Sequence, residues 1–252
     1  VYLIAMMVAT LLNCIGDPLV YSLDGMEGNL YRFLNYAGNT WLYVGTLAAS
    51  YTWVSFVECH MNGSIPKKHS FVLKAVVFVC LIGLVVNLFY PMVFDVDDKN
   101  VYVRKSMYMG YLAVNYGLLV DAIVVYLKSK GRGGLIKYFP VWSFVIPVVI
   151  GSIVQSMYYG VSVSAVSMAI SVAGVLASLQ NEQIYKDSLT GLYNRTSLDH
   201  LLKRFSRKNM PLITGVMLDL NGFKRINDTY GHGVGDHALV DAAEILKRVI
   251  GK

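Results

Sequence analysis

Charged side chains are scarce in this chain. Asp, Glu, Lys and Arg make up only 15% of its 252 residues, whereas hydrophobic residues make up 55% and the mean hydropathy is +0.49. Because a typical soluble domain has about 25% charged residues, this balance excludes an ordinary soluble globular protein. It indicates a membrane protein, whose surface faces lipid.

Cysteine is also rare. The three cysteines, Cys14, Cys59 and Cys80, lie within or at the edges of apolar runs, with no CxxC pair and no Cys/His spacing typical of a metal site. We interpret them as small buried apolar residues. A signal-peptide pattern is missing as well, and because the chain begins at Val1 we expect it to be a fragment of a longer protein.

Long apolar runs are abundant. Crossing a bilayer takes about 20 helical residues, and runs of that length occur at 1–23, 38–59, 71–94, 106–127, 139–158 and 161–180. We therefore predict a six-helix transmembrane sensory or anchor domain over residues 1–180.

The charged residues in the short loops predict an orientation. Basic residues are concentrated around 60–70 and 128–137, whereas acidic residues are concentrated around 17–27 and 95–98. Because Lys and Arg favour the cytoplasmic side, the basic loops are predicted to lie inside. Six crossings then place residues 181–252 in the cytoplasm of a cell-membrane protein. The net charge of +6 is explained by this topology, and no nucleic-acid partner is predicted.

The unusual ionisable residues inside the predicted membrane region are Glu58, Lys74 and Asp121. Such residues are functional candidates because a charge in hydrocarbon is costly. A structural interpretation stays open, since Lys74 can extend to the interface and Glu58 lies at a span end. We predict that Asp121 and Lys74 form a pair linked to a signal.

Residues 181–252 show the patterns of a soluble domain. Four residues recur at helical spacing after Thr196 or Ser197, the predicted N-cap; they are Leu198, Leu201, Leu202 and Phe205. The run at 211–220 predicts a buried strand, and a further helix is predicted after Gly235. This order predicts an α/β domain whose sheet the chain does not complete.

The end of the predicted strand has the residues of a phosphate site. Asp219 lies where open α/β sheets bind ligands, and its carboxylate suits Mg²⁺. Gly222 lets the backbone turn closely, and Lys224 supplies a point charge for phosphates. Asn227 and Asp236 together can match the donor and acceptor edge of a purine.

Other sites fit the spacing less well. An EF-hand loop starting at Asp219 would need Gly at its sixth position and Glu at its twelfth, and neither position matches. A P-loop would need a Gly-Lys-Ser/Thr sequence, which "GHGVGDHA" lacks. A zinc site formed by His232, His237 and Asp236 stays possible, although it has no second cluster of ligands.

Two motifs match a known family. "DSLTGLYNR" at 187–195 and "DLNGFKRINDTYGHGVGD" at 219–236 resemble the opening motifs of the GGDEF domain, the catalytic domain of bacterial diguanylate cyclases. The resemblance begins at about Tyr185. It implies a multi-span α-helical membrane domain, residues 1–180, followed by the N-terminal part of an α/β GGDEF domain, residues 181–252.

The resemblance implies how metal and phosphate are held. The residue matching Asp219 binds Mg²⁺ through its carboxylate, and the residue matching Leu220 binds it through the backbone carbonyl. Lys224 matches a lysine that stabilises charge on the phosphates during catalysis.

The resemblance also implies the substrate and the assembly. Residues matching Asn227, His232 and Asp236 contact GTP, Asn227 and Asp236 chiefly through guanine. In the family reaction a homodimer holds one GTP in each protomer and joins the two into cyclic di-GMP, with release of pyrophosphate.

The signature Gly-Gly-Asp/Glu-Glu-Phe hairpin, which carries the catalytic carboxylate, is not among the 252 residues. We therefore expect a membrane-bound diguanylate cyclase that responds to an unknown sensory ligand, and we expect the chain itself to be inactive. A catalytically inactive regulator that binds GTP or cyclic di-GMP is the alternative. A transporter with a nucleotide-sensing tail is less consistent, because no pair of spans shows an interrupted repeat.

Overall fold

The computed structural model of this chain describes residues 1–131, 141–158, 162–206 and 214–250. The chain divides into two compact units, Val1–Ala177 and Ser178–Lys252. Part of the predicted basic loop at 132–137, the predicted turn between the fifth and sixth spans at 159–161, and the start of the predicted strand at 211–213 lie outside the described residues.

Among its described residues the first unit begins six helices, and a short hairpin separates the third from the fourth. The helices are α1 Tyr2–Leu23, α2 Asn29–Asn62, α3 Lys67–Asn87, α4 Tyr108–Gly131, α5 Val141–Met157 and α6 Val163–Ile184. The hairpin consists of β1, Phe94–Val96, and β2, Tyr102–Arg104.

Four of the described helices are long and apolar enough to cross a membrane. These segments are Tyr2–Leu23, Lys67–Asn87, Tyr108–Ser129 and Val163–Asn181. Helix α5 is apolar but has only 17 residues, and α2 has 34 residues but carries many polar side chains. Six crossings therefore stay a prediction where α2 and α5 are concerned.

Helix α2 is the centre of the first unit, packing against α1, α3, α4 and β1. Its buried polar side chains include Asn35, Asn39, Ser50, Thr52, Ser55 and Glu58. Because lipid offers no hydrogen bonds, such groups are stable only against other protein groups. The Ser50 hydroxyl, for example, donates to Oδ1 of Asn115 in α4 at 2.9 Å. Trp53, also fully buried, stacks on Phe144 of α5 with ring centroids 3.8 Å apart.

The hairpin is held by the last residue of α3. Oδ1 of Asn87 accepts hydrogen bonds from the backbone N–H groups of Met92, at 2.8 Å, and Val93, at 2.7 Å. Its amide donates to the carbonyl of Phe94 at 3.0 Å. Strands of three residues are too short to show alternation in the sequence, so this region was predicted only as an acidic loop.

The partner predicted for Asp121 is wrong. The imidazole of His69 contacts the carboxylates of both Glu58 and Asp121, with 2.8 Å between Nε2 and the Asp121 oxygen. Lys74 is exposed and forms no ion pair among the described residues. A residue on a helix faces one direction only, and α3 turns His69 rather than Lys74 toward Glu58 of α2 and Asp121 of α4.

The described part of the second unit has three further helices: α7 Arg195–Ser206, α8 Phe223–Tyr230 and α9 His232–Ile250. The helix predicted around Leu198 and Leu201 is confirmed as α7. Its predicted N-cap is wrong, because Oδ1 of Asn194 accepts the N–H of Ser197 at 3.2 Å. Asn194 therefore performs the capping that was predicted for Thr196 or Ser197.

The predicted strand at 211–220 does not form within its described part, residues 214–220. Val216, Met217 and Leu218 are exposed there, Met217 at 97%. A strand needs a neighbour to pair its backbone groups, and in the described part of this unit the one β-type pairing is the bridge between Lys186 and Tyr193. An apolar run without a partner stays extended and exposed.

Candidate functional site

The motif at 187–195 folds as a closed turn. Oδ1 of Asp187 accepts hydrogen bonds from the N–H of Thr190, at 2.9 Å, and from its hydroxyl, at 2.8 Å. Gly191 has a φ of 64° and donates its N–H to the carbonyl of Asp187. The hydrogen bonds from Thr190 hold the pKa of the Asp187 carboxyl below its ordinary value, because the ionised form accepts them best.

Asn194 ties this turn to the helices on either side. Its amide donates to the carbonyl of Ile184 at 2.8 Å, and its N–H donates to the carbonyl of Tyr185 at 3.0 Å. Because its Oδ1 caps α7, one side chain fixes both the end of α6 and the start of the next helix.

The same turn is attached to α9. Nζ of Lys247 donates to the carbonyl of Thr190 at 2.7 Å. Sequence reasoning missed this contact, because no spacing rule connects residues 57 positions apart. It also missed the structural task of Asp187, for which the Asp-x-x-Thr-Gly spacing of a capped turn was an available signal.

Asp219 and Leu220 lie in an exposed segment that leads into α8. Gly222 has a φ of 73°, and its carbonyl accepts the N–H groups of Arg225 and Ile226 at 3.0 and 3.3 Å. The prediction that a glycine lets the backbone turn here is confirmed, since other residues rarely adopt this conformation.

Lys224 and Asn227 lie three positions apart on α8 and therefore share one face of the helix. Lys224 is exposed. Oδ1 of Asn227 is buried, with no hydrogen-bond partner in the described part of the chain. It lies against Gly235 of α9, where an added Cβ would be only 1.8 Å away. The absence of a side chain at Gly235 thus makes the space that Asn227 occupies.

His232 and Asp236 lie four positions apart on the first two turns of α9, and both are exposed. The structure thus brings Asn227 next to the residue that precedes Asp236. It does not bring Asp219 into contact with α9 among the described interactions. Of the predicted base-contacting residues, Asn227 lies on α8 and His232 and Asp236 lie on α9, whereas the predicted metal ligands lie on the segment before α8.

The oxygen atoms at Asp219 and Leu220 fit Mg²⁺ chemically. The Asp219 carboxylate accepts no hydrogen bond among the described residues, and the Leu220 carbonyl accepts only a long one, 3.4 Å from the N of Phe223. Magnesium commonly uses one or two carboxylates and completes its shell with water and substrate phosphates. The alternative zinc site is not formed, because no group of three His, Cys, Asp or Glu gathers anywhere in the described ranges.

Comparison with known families identifies the second unit. The family model "Diguanylate cyclase, GGDEF domain" matches residues 184–252. No solved structure matches the chain.

Several curated relatives are similar to about a quarter of this chain. "Probable diguanylate cyclase DgcF" of Escherichia coli (strain K12) is 40% identical over 65 residues, which are 26% of this chain and 21% of the relative. "Response regulator PleD" of Caulobacter vibrioides is 43% identical over 61 residues, 23% of this chain and 13% of the relative. An uncharacterized membrane protein of Staphylococcus aureus (strain USA300) is 39% identical over 74 residues, 28% of this chain and 20% of the relative.

The chain therefore spans only a small part of the length of each of these relatives. The family model and the relative DgcF are both described as diguanylate cyclases. Residues 184–252 belong to the GGDEF-domain family, and among the described residues four apolar helices long enough to cross a membrane precede them.

Proposed function

We propose that this chain belongs to a membrane-anchored protein that senses a ligand through its helical unit and makes cyclic di-GMP in the cytoplasm. The observation that carries the proposal is the site between α8 and α9. There the Asn227 amide packs against Gly235, and Lys224 lies on the same face of α8, so polar groups that suit a nucleotide lie near one another.

The base would be read by the polar groups that α8 and α9 bring together. Guanine presents two neighbouring N–H donors, at N1 and at the 2-amino group, whereas adenine presents an acceptor at N1. Oδ1 of Asn227 and the carboxylate of Asp236 are acceptors, so they match guanine. A site built from such groups rejects a base that leaves them unpaired. His232, exposed one turn before Asp236 on α9, would add a further polar contact to the nucleotide.

The triphosphate would lie toward the other end of α8. Lys224 extends from the first turn of that helix and places a point charge beside the phosphates. Asp219 and the carbonyl of Leu220 would hold Mg²⁺, which supplies charge neutralisation at the phosphate oxygens when bound.

The reaction needs two copies of the domain. In a homodimer each protomer holds one GTP, and the 3′-hydroxyl of each nucleotide attacks the α-phosphorus of the other. Each attack forms an O3′–P bond and breaks the bond to the β-phosphate, so that two pyrophosphates leave and the hydroxyl protons are released. The 252-residue chain has no Gly-Gly-Asp/Glu-Glu-Phe sequence, and we expect this chain by itself not to complete the reaction.

Replacing the metal ligand in the full-length protein tests the proposal. We expect Asp219→Ala to lower cyclic di-GMP synthesis by about 100-fold or more, because loss of a metal site removes several kcal/mol of transition-state stabilisation. Asp241→Ala, an exposed aspartate of α9, is the matched control and should retain activity. Equal rates for Asp219→Ala and its parent would reject the metal assignment. A parent that binds GTP without making product would support the alternative of an inactive regulator.

A further inference from the structure

The first unit contains a cavity that the nucleotide chemistry does not use. Its volume is about 200 Å³, and it lies among α1, α2, β2, α4, α5 and α6. An apolar cavity of about 150 Å³ is large enough for benzene. This cavity therefore has room for a ring of that size with a short polar tail.

The wall combines aromatic faces with acceptor groups. Five tyrosines line it: Tyr21, Tyr43, Tyr102, Tyr108 and Tyr111. Aromatic faces of this kind surround organic cations in many proteins, because the negative face of the ring attracts positive charge.

One wall residue is a buried carboxylate without a counter-ion. Asp17 of α1 is only 5% exposed, and it accepts a hydrogen bond from the hydroxyl of Ser162. It forms no ion pair with any described residue. A buried charge is costly unless it is paired. One serine hydroxyl does not offset that cost, so the Asp17 carboxylate favours a ligand of positive charge.

A neighbouring amide offers an acceptor rather than a donor. Asn39 lines the cavity and donates from its amide nitrogen to the carbonyl and to the Oδ1 of Asn35, at 2.9 and 2.7 Å, which leaves its own oxygen as an acceptor. The Oδ1 of Asn13, by contrast, is buried against Gly45, where an added Cβ would lie only 2.0 Å away. Asp17 and Asn39 together fit a ligand rich in donors, and an ammonium group has three.

The one arginine of the wall already has partners. The guanidinium of Arg104 donates to the carbonyls of Ser156, at 3.2 Å, and Gln155, at 3.4 Å, and lies 4.8 Å from the ring centroid of Tyr108. The second acidic residue of the wall, Asp24, accepts hydrogen bonds from Asn35 and from the N–H of Tyr102. Asp17 is therefore the charged group of the wall with the fewest protein contacts.

We propose that this cavity binds a small organic ligand carrying a protonated amine, with Asp17 as its counter-ion and the tyrosines around its body. The inference rests on the proposed function, since it assigns to the membrane unit the ligand that such a sensor requires. The amine can belong to a simple arylalkylamine or to a free amino acid, whose carboxylate would then face Arg104.

Binding to the 252-residue chain in lipid nanodiscs tests the proposal without any nucleotide chemistry. Isothermal titration calorimetry would compare 2-phenylethylamine, phenylalanine and the neutral 2-phenylethanol. We expect at least one of the two amines to bind saturably and at least about tenfold more tightly than the alcohol, because the alcohol leaves the carboxylate unpaired. Tighter binding of phenylalanine, lost in Arg104→Gln, would identify the amino-acid class. Tighter binding of phenylethylamine would identify the simple amine.

Variants at one position distinguish charge from packing. Asp17→Asn keeps the shape and should weaken amine binding by at least about tenfold, whereas Asp17→Glu keeps the charge and should bind more tightly than Asp17→Asn. Asp98→Asn, an exposed aspartate outside the cavity, is the matched control and should bind as the parent does. The proposal is overturned if neither amine binds, if the alcohol binds as well as the amines, or if Asp17→Asn binds within twofold of the parent. Cyclic di-GMP synthesis by the full-length protein is a separate measurement, so failure of the cavity assignment and failure of the cyclase assignment are distinguishable.

Discussion

In the second unit, the side chain that a position can hold depends on the residues packed around it. Gly235 is the clearest, because its missing side chain is what admits the Asn227 amide. Gly233 lies one half-turn earlier on the same helix, with open space around its Cβ position. The structure therefore has space for a side chain at Gly233 but none at Gly235.

This difference gives a matched pair of substitutions. We expect Gly235→Ala in the full-length protein to weaken GTP binding by about tenfold or more, because the new methyl group displaces the Asn227 side chain. Gly233→Ala gains the same helix propensity without the clash, and it should bind GTP as the parent does. Calorimetric titration with GTP and ATP checks both, and the loss should be greater for GTP. A variant Gly235→Ala with parental GTP affinity would show that the position of Asn227 is not needed for binding.

At the scale of elements, the turn at 187–195 is held by an ionised carboxylate. The pKa of Asp187 is lower in the folded chain than in the unfolded chain, so its contribution to stability is fully present above the unfolded pKa, about 3.9. That contribution is lost as the pH falls through the lower, folded value. We expect the Thr190 amide to lose protection below about pH 4, when its hydrogen-exchange rate is divided by the intrinsic rate of an unprotected amide at the same pH. Asp187→Asn should have low protection at every pH, and a protection factor in the parent that does not change with pH would contradict the assignment.

The contact between α3, α2 and α4 gives a second prediction at this scale. His69→Ala leaves Glu58, whose side chain is 6% exposed, without the imidazole that contacts it. Loss of one partner of a buried pair costs about 3–5 kcal/mol, so the melting temperature of the purified chain should fall clearly. Lys74→Ala removes an exposed lysine of the same helix and should have little effect. The reverse ranking of the two melting temperatures would restore the sequence-based pairing of Lys74 with Asp121.

Some elements of the fold could be predicted from the sequence alone, and others could not. The spacing of Leu198 and Leu201 revealed α7, because a helix is stabilised within its own segment and by one apolar face. The run at 211–220 has the composition of a strand, but strands exist only with partners, and composition does not contain the partner. The capping residue was missed for a related reason: Asn194, Thr196 and Ser197 are all good N-caps, and only the backbone path selects among them.

The candidate site also has features that the sequence predicts and features that it does not. The residue types at Asp219, Lys224, Asn227 and Asp236 were sufficient to predict a phosphate and purine site, because their chemistry is local. The contact of Asn227 with Gly235 and the bond from Lys247 to the turn depend on how α8 and α9 pack. Such contacts have no signature in spacing, and three-dimensional coordinates are needed to find them.

For the whole molecule, the proposed topology is open to direct labelling. The structure guides the choice of positions. Asn100 is buried and its amide donates to the carbonyl of Met26 at 2.5 Å, whereas the neighbouring Lys99 is exposed. We expect a cysteine at Lys99 to react with an impermeant thiol reagent in intact cells, and a cysteine at Lys128, also exposed, to react only after lysis. Both cysteines are introduced into a variant in which the three native cysteines have been replaced. If only the cysteine at position 128 were labelled in intact cells, the orientation would be the opposite of the predicted one.

The polar side chains along α2 have a consequence for how the protein is made. A helix with Asn35, Asn39 and Glu58 enters a bilayer poorly by itself, since the insertion machinery tests each segment by its own transfer free energy. For the proposed crossing, α2 therefore has to leave the translocon together with α1, the helix with which it packs most extensively. Biogenesis of this unit would begin with a helical pair, and a nascent chain arrested before residue 62 should remain accessible to cytoplasmic or lumenal probes until that pair has formed.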